Sequence, residues 1–350
     1  MSAAPISLPV HMGASRSRWL ESMRGAACLA VVLYHADLHS PASVHPVEQL
    51  VARVTVHGWT GVSVFFALSG YLITDALERR SASGHGALVF WLNRALRIYP
   101  TFWAAFLASS MLALVATCFN GLPALSAWPA TFSAWLGDLT LTGLWFDINP
   151  RLIVSWSLNY EIGFYVIAGL ALAMPISTPL FRMVFFVVIT TTAHLAPNGF
   201  LPFLDLWPQF AAGIFAAYAL STRVSRLARG VAAAYVATLL AVSLLTDDSA
   251  TATAAFSALS IMAFIAVEAR LPAPPAWLVA LGGASYSIYL VHVPVMSPLR
   301  NLIVRHISLA SHTYLLACLG IILAGITAGL IFHRIVELPL ERFRRSVTLS

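Results

Sequence analysis

The sequence predicts an all-α fold, a polytopic membrane helix bundle of about ten transmembrane helices. The 350 residues are 59% hydrophobic and only 10% charged, and the mean hydropathy is +0.82. A soluble domain carries roughly 25% charged residues. Continuous hydrophobic runs recur along the whole chain, and each is about as long as the 17–25 residues that cross a bilayer core as a helix. These observations indicate an integral membrane protein.

Ten hydrophobic runs define the predicted spans, which are residues 20–38, 59–77, 99–118, 152–173, 180–196, 206–221, 231–246, 251–268, 280–297 and 313–334. Residues 119–150 differ from the rest, because prolines break a moderately apolar stretch that holds Trp128, Trp135 and Trp145. We interpret this stretch as an external loop with an interfacial helix. Its tryptophans either form an aromatic belt at the lipid headgroups or stack on carbohydrate.

The uneven distribution of arginines predicts the orientation. Cytoplasmic loops of membrane proteins carry an excess of basic residues. With the N-terminus in the cytoplasm, the inner loops receive Arg16, Arg18, Arg79, Arg80, Arg94, Arg97, Arg223, Arg226, Arg229, Arg270, Arg334, Arg342, Arg344 and Arg345. The outer loops receive only Arg53, Arg151, Arg300 and Arg305. Both termini are therefore predicted to be cytoplasmic, which requires an even number of spans.

The chain is predicted to be a single integral-membrane domain over residues 1–345 with a short cytoplasmic tail, 346–350. The three cysteines lie in apolar runs without metal-ligand spacing, so we expect no metal site. The net charge of +6 is explained by the cytoplasmic loops, and we expect no nucleic-acid partner.

Arg24 and His35 lie at opposite ends of an apolar stretch in the first span. Eleven residues make nearly three helical turns, so both side chains lie on the same side of the helix, about 16 Å apart along its axis. Polar groups in a membrane interior face a partner or a cavity. His35 is thus either a general base, since histidine accepts protons near neutral pH, or a structural histidine bonded to a neighbouring helix.

Arg94 and Arg97 are three residues apart at the cytoplasmic start of the third span, so they share a helix face. Two guanidinium groups could hold a phosphate through charge-assisted hydrogen bonds. The alternative is that they follow only the positive-inside tendency.

Glu161 is the only carboxylate within the fourth span, which makes it a functional candidate. It could orient a histidine, bind a substrate hydroxyl, or pair with an arginine such as Arg151. Trp156 and Ser157 precede it in the same stretch.

The last two stretches lie near the C-terminus. Ser285, Tyr289 and His292 have i, i+4, i+7 spacing and form one polar stripe along the ninth span. His333 and Glu337 lie one turn apart, and we interpret Glu337 as a structural lock.

Taken in order, these stretches resemble acyltransferase family 3, the multispanning acyltransferases of bacterial surface and exported glycans. The matching blocks are R-x10-H at 24–35, FF-x-LSG-[FY]-LI at 65–73, R-x-x-R before an aromatic–proline step at 94–100, SWSL-x-x-E at 155–161, SYS-x-YL-x-H at 285–292 and E-x-P at 337–339. Six ordered blocks cover nearly the whole chain. Family members often carry an appended soluble hydrolase-like domain, and we expect none here.

The resemblance implies a multi-pass enzyme of the bacterial inner membrane. It would move an acyl group, usually acetyl, from cytoplasmic acyl-CoA to a sugar hydroxyl of a surface polysaccharide or another glycan or glycoside. Arg94 and Arg97 would hold the CoA phosphates, the pantetheine arm would pass Arg24, and His35 would remove the hydroxyl proton, with Glu161 tuning the site. The candidates for substrate or oxyanion contacts are Ser157, Tyr289, His292, Trp156 and Arg24.

A transporter of a small polar solute or acyl donor is the alternative. It too would have many spans, intramembrane charges and a central cavity. Transporters usually show internal repeats with broken helices in matching halves, and the sequence shows no such pairing.

Overall fold

The computed structural model describes residues 17–36, 46–83, 86–119, 128–174, 178–196, 201–306 and 311–348. Within these ranges the chain forms α-helices and no β-strand. The helices are α1 (Arg18–His35), α2 (Pro46–Thr55), α3 (Thr60–Ser83), α4 (Ala87–Phe119), α5 (Phe132–Thr140), α6 (Trp156–Ala173), α7 (Pro179–Leu195), α8 (Trp207–Leu220), α9 (Arg226–Leu245), α10 (Ser249–Val267), α11 (Ala276–Gly283), α12 (Ser285–His306), α13 (Ser311–Phe332) and α14 (Leu338–Thr348). Arg16 and the last two residues of the predicted tail lie outside the described residues.

A helix coincides with each of the ten predicted spans. Among the described residues, five helices are long and apolar enough to cross a membrane, and the pair α11–α12, bent by 75°, adds a sixth. The other four are shorter: α1 and α6 have 18 residues, α7 has 17 and α8 has 14. The all-helical membrane fold is confirmed, whereas ten crossings and cytoplasmic termini stay a prediction.

Side-chain caps fix where several helices begin. A residue before α1, α5, α7 and α9 accepts a hydrogen bond from a backbone N–H of the first turn, and Asp248 does the same twice for α10. The other four caps are Ser17, Thr131, Thr178 and Ser225. Each satisfies an N–H group that has no partner inside its helix.

The central helix of the bundle is α8, in which 11 of 14 residues are buried. It packs closely against α3, where Gly70 faces the backbone at Phe210 and Gly213 faces the backbone at Ala67. A Cβ atom on either glycine would overlap the facing backbone. Small residues at a crossing let two membrane helices approach closely. The packing leaves another face of α3, with Phe65 and Ser69, on a cavity.

Contacts between α1 and α3 show that these helices are antiparallel. Gly58, in the turn before α3, and Gly61, in the first turn of α3, lie against Ala30 and Ala27 of α1, respectively. As the residue number increases from Gly58 to Gly61, the number of the contacted residue in α1 decreases.

Contacts between α3 and α8 and between α12 and α13 show the relative directions of these two helix pairs. Phe66 and Glu78 of α3 contact Phe210 and Tyr218 of α8, so these helices are parallel. Gly325 and Gly329 of α13 lie against His292 and Ile288 of α12, so that pair is antiparallel.

A buried ion pair joins α3, α7 and α8. Arg182 donates through Nε and Nη2 to the two carboxylate oxygens of Glu78, at 3.0 Å and 2.7 Å. The hydroxyl of Tyr218 donates to the same carboxylate at 3.1 Å. Arg182 is 0% and Glu78 5% exposed, so neither charge has water as an alternative partner. Such a pair fixes which faces of three helices meet.

We expect Glu78→Ala to destabilise the protein by about 3–5 kcal/mol, because the buried Arg182 loses the carboxylate that balances its charge. The double variant Glu78→Leu/Arg182→Met removes both charges and recovers most of that loss. Thermal unfolding of the purified proteins in detergent measures both. A Glu78→Ala protein that unfolds at the wild-type temperature would contradict this role.

Candidate active site

A cavity of about 300 Å³ lies among α1, α3, α4, α6 and α12. On α3 its lining extends from Val62 to Arg79, which is about 25 Å at 1.5 Å per residue. Of the predicted site residues, the cavity brings together Arg24, Arg94, Arg97, Ser157, Glu161, Tyr289 and Glu337. His35, His292 and Trp156 do not line it within the described residues.

The two arginines of α4 lie side by side on the cavity wall, as their spacing predicts. The Arg94 guanidinium lies over the rings of Phe90 and Tyr165, 5.6 Å and 5.8 Å from their centroids. Arg97 is exposed within the cavity, and no hydrogen bond or ion pair joins it to another described residue. Its guanidinium group is thus available to an anion.

Arg24 reaches the same cavity from α1. Its Nη2 donates to Ser285 Oγ at 3.2 Å, while its Nε is buried without a hydrogen-bond partner among the described residues. A buried donor without a partner is costly, so this N–H is suited to a ligand acceptor.

Glu161 faces the cavity from α6 without forming an ion pair to any described residue. Its Oε1 accepts a hydrogen bond from Ser69 Oγ at 3.1 Å and a short one from the hydroxyl of Tyr165. Two hydroxyl donors satisfy one carboxylate oxygen. The other oxygen is left for a neighbouring cation or a ligand hydroxyl.

One end of the cavity is formed by a pair of hydroxyl groups. Tyr289 donates to the carbonyl oxygen of Val154 at 2.8 Å, and its oxygen lies 2.7 Å from Ser157 Oγ. The ring of Tyr289 lies edge-on to Phe65, with 6.4 Å between centroids. Both rings line the cavity, and we call them the aromatic layer.

Glu337 lies where a π-helical turn, His333–Glu337, joins α13 to α14. Its Oε2 accepts from Ser287 Oγ at 2.5 Å and lies 2.7 Å from His333 Nδ1. The carboxylate thereby links α12 to the end of α13. It also lines the cavity, and π turns occur frequently at functional sites.

His35 and His292 contact each other one side-chain layer beyond the cavity end. His35 Nδ1 lies 3.2 Å from His292 Nε2 and 2.9 Å from the carbonyl oxygen of Val31. His292 is 0% exposed, whereas His35 is half-buried. The ring of Tyr289, which does line the cavity, is 5.9 Å from the ring of His292.

Two contacts show that α1 and α12 run parallel, since Arg24 meets Ser285 and His35 meets His292. Seven residues of α12 separate the two contacts, or about 10 Å. Tyr289 lies between them on the polar stripe that the sequence predicts.

Trp156, the remaining predicted site residue, begins α6 beside Tyr160, with 6.0 Å between ring centroids.

Several polar partners in the site are absent from the sequence prediction. Ser69 lies within the FF-x-LSG block at 65–73 and has no predicted role there, although it donates to Glu161. Tyr165 follows Glu161 by one helical turn, and this i, i+4 spacing could have identified it. Glu21 and Tyr286 also line the cavity. In the described ranges, no three His, Cys, Asp or Glu side chains are grouped as metal ligands.

Comparisons with known proteins identify the family. The profile described as "Acyltransferase domain", that of acyltransferase family 3, matches residues 17–332. The chain belongs to this family. The acyltransferase MdmB of Streptomyces mycarofaciens is 28% identical over 92% of this chain and 91% of its own length.

Two rhizobial proteins are also similar to the chain. The exopolysaccharide production protein ExoZ of Rhizobium meliloti (strain 1021) is 29% identical over 86% of this chain and 95% of its own length. Nodulation protein 10 of Rhizobium leguminosarum bv. viciae is 26% identical over 68% of this chain and 72% of its own length. No solved structure matches the chain. The family resemblance is thereby confirmed, and the chain is an acyltransferase of membrane character.

Proposed function

We propose that the protein transfers an acyl group, normally acetyl, from cytoplasmic acyl-CoA to a sugar hydroxyl of a surface polysaccharide, glycan or glycoside. The observation that carries this proposal is the cavity itself. Its wall carries Arg97, a cation that forms no hydrogen bond or ion pair with a described residue. At the other end its lining residue Tyr289 contacts His292, which contacts His35. A donor with an anionic tail and a reactive thioester tip fits both features.

The donor's phosphates bind at Arg94, Arg97 and Arg24, which all line the cavity. Arg97 offers a complete guanidinium, and Arg24 Nε is a buried donor without a described partner. Phosphates form strong bidentate hydrogen bonds with arginine. The pantetheine arm then extends along α3 toward Phe65 and Tyr289. We propose that the acyl group displaces this aromatic layer to reach His35.

The chemical step is a direct transfer. His35 accepts the proton of the acceptor hydroxyl as its oxygen attacks the thioester carbonyl carbon. The carbon–sulfur bond then breaks, and the sulfur of CoA takes the proton from His35. The products are an O-acyl ester and free CoA, so protons and electron pairs balance.

The remaining predicted residues surround this path. Ser157 and Tyr289 carry the hydroxyl groups nearest the cavity end. We propose that their hydrogens turn from Val154 and from each other toward the developing oxyanion. Glu161, held by Ser69 and Tyr165, tunes the site through its negative charge near Arg97. Glu337 keeps its proposed role as a lock between α12 and the end of α13.

The directions of the helices support ten crossings with both termini in the cytoplasm. If every predicted span crosses, the first and ninth run together, as do the second and sixth. The pairs α1–α12 and α3–α8 are indeed parallel. Consecutive spans α1–α3 and α12–α13 are antiparallel. The family and its bacterial relatives favour the inner membrane of a bacterium.

The acceptor class rests on the relatives. ExoZ is named for exopolysaccharide production, which supports a polysaccharide hydroxyl as the acceptor.

We expect acetylated glycans to disappear from cells that lack the gene and to return on complementation, as measured by mass spectrometry of surface glycans. Counterflow of a solute by the purified protein without any covalent product would instead favour the transporter.

We expect His35→Ala to lower acyl transfer by about 10²–10⁴-fold, because general-base assistance is lost. The assay is release of CoA from acetyl-CoA by purified protein with a glycan acceptor. Unfolding temperature serves as the control for folding. Near-wild-type turnover by the His35→Ala protein would contradict the mechanism.

We expect Arg97→Ala to raise KM for acetyl-CoA by about 10- to 100-fold, the loss of a charged hydrogen bond to phosphate. The kcat changes little, because this contact is the same in the ground state and the transition state. Arg226→Ala is the matched control, since Arg226 is exposed at the start of α9 away from the cavity. Equal KM values for the two variants would place the phosphates elsewhere.

A further inference from the structure

The surroundings of His292 determine which of its ring nitrogens carries the hydrogen. Nδ1 lies 3.0 Å from the carbonyl oxygen of Ile288 and 2.8 Å from that of Tyr289. Carbonyl oxygens only accept hydrogen bonds, so Nδ1 donates. In a neutral ring the lone pair is then on Nε2, and this nitrogen faces His35.

The same reasoning applies to His35. Its Nδ1 lies between two acceptors, the carbonyl oxygen of Val31 at 2.9 Å and Nε2 of His292 at 3.2 Å. Nδ1 therefore carries the hydrogen and shares it between them. The opposite tautomer would place a lone pair against Val31 and leave a fully buried acceptor on His292 without a donor, which is unfavourable. The lone pair of His35 is thus on Nε2, which no described residue contacts by a hydrogen bond.

We propose that His292 is a positioning residue for His35. It holds the imidazole in the tautomer whose Nε2 accepts the proton of the sugar hydroxyl. It then accepts a hydrogen bond from the imidazolium ion that forms. This inference rests on the proposed transfer reaction, and it gives His292 a role that needs no contact with the substrate.

A neutral acceptor suits this position. In the serine hydrolase triad a carboxylate orients the histidine, but an additional buried charge inside a membrane bundle is costly. An imidazole supplies the acceptor without a charge. Its own orientation is fixed by two carbonyl groups of α12, the helix that carries it.

Two amide substitutions separate positioning from packing. In His292→Gln the amide oxygen takes the place of Nε2 and reaches His35. In His292→Asn the side-chain amide takes the place of Nδ1 and keeps the hydrogen bond to the carbonyl groups of α12. The shorter side chain does not reach His35. His292→Leu removes both functions. The two amide variants differ by one methylene, so they form a matched pair.

We expect Asn and Leu at position 292 to lower kcat by about 10- to 100-fold, the value of a hydrogen bond to a charged group. KM for acetyl-CoA stays unchanged, since the donor contacts are intact. Gln retains most of the wild-type kcat. Equal kcat values in the Asn and Gln variants would overturn the proposal, because a packing role does not depend on reach toward His35.

A spectroscopic measurement tests the tautomer without turnover. Nitrogen-15 spectra of histidine-labelled protein, with His35 assigned by its loss in His35→Ala, should show Nδ1 protonated in the wild type and His292→Gln. The Asn and Leu variants should show a mixture of both tautomers. A wild-type His35 protonated on Nε2 would overturn the inference. If the tautomer is as expected but no CoA is released, the proposed reaction fails and the histidine pair stands.

Discussion

Polar groups inside an apolar helix bundle must find partners, and this constraint organises the described structure. The pair Arg182–Glu78 fixes α7 against α3. The pair His35–His292 fixes the C-terminal end of α1 against α12. Each contact joins helices that hydrophobic packing alone would allow to rotate or slide, because apolar surfaces tolerate many registers. The close crossing of α3 and α8 at two glycines then leaves room for a cavity on the other side of α3.

The cavity brings together several charged groups that are incompletely paired. Arg97 has no hydrogen-bond or ion-pair partner among the described residues, and Arg24 keeps one buried N–H without a partner. Glu161, by contrast, is held by two hydroxyl groups. A fold that satisfies Glu78 and Arg182 so completely could satisfy these arginines too. The proposed acyl donor would supply acceptors for both arginines through its phosphates.

Hydrophobic runs and single-helix spacing could be interpreted from the sequence, whereas contacts between helices could not. The ten runs coincide with helices because a bilayer requires apolar segments of fixed length. Arg94 and Arg97 share a wall because they are three residues apart. The pairs Ser69–Glu161 and His35–His292 depend on how separate helices rotate against each other, which no local pattern encodes. The same holds for Tyr289, which lines the cavity and also contacts the ring of His292.

The most direct test of the site is the position of CoA on the protein in a lipid nanodisc, determined by cryo-electron microscopy. The diphosphate should contact Arg97, and the sulfur should point along α3 toward Tyr289. Density for CoA outside the space between α1, α3 and α4, or with its sulfur at the arginine end, would contradict the assignment of this cavity as the donor site.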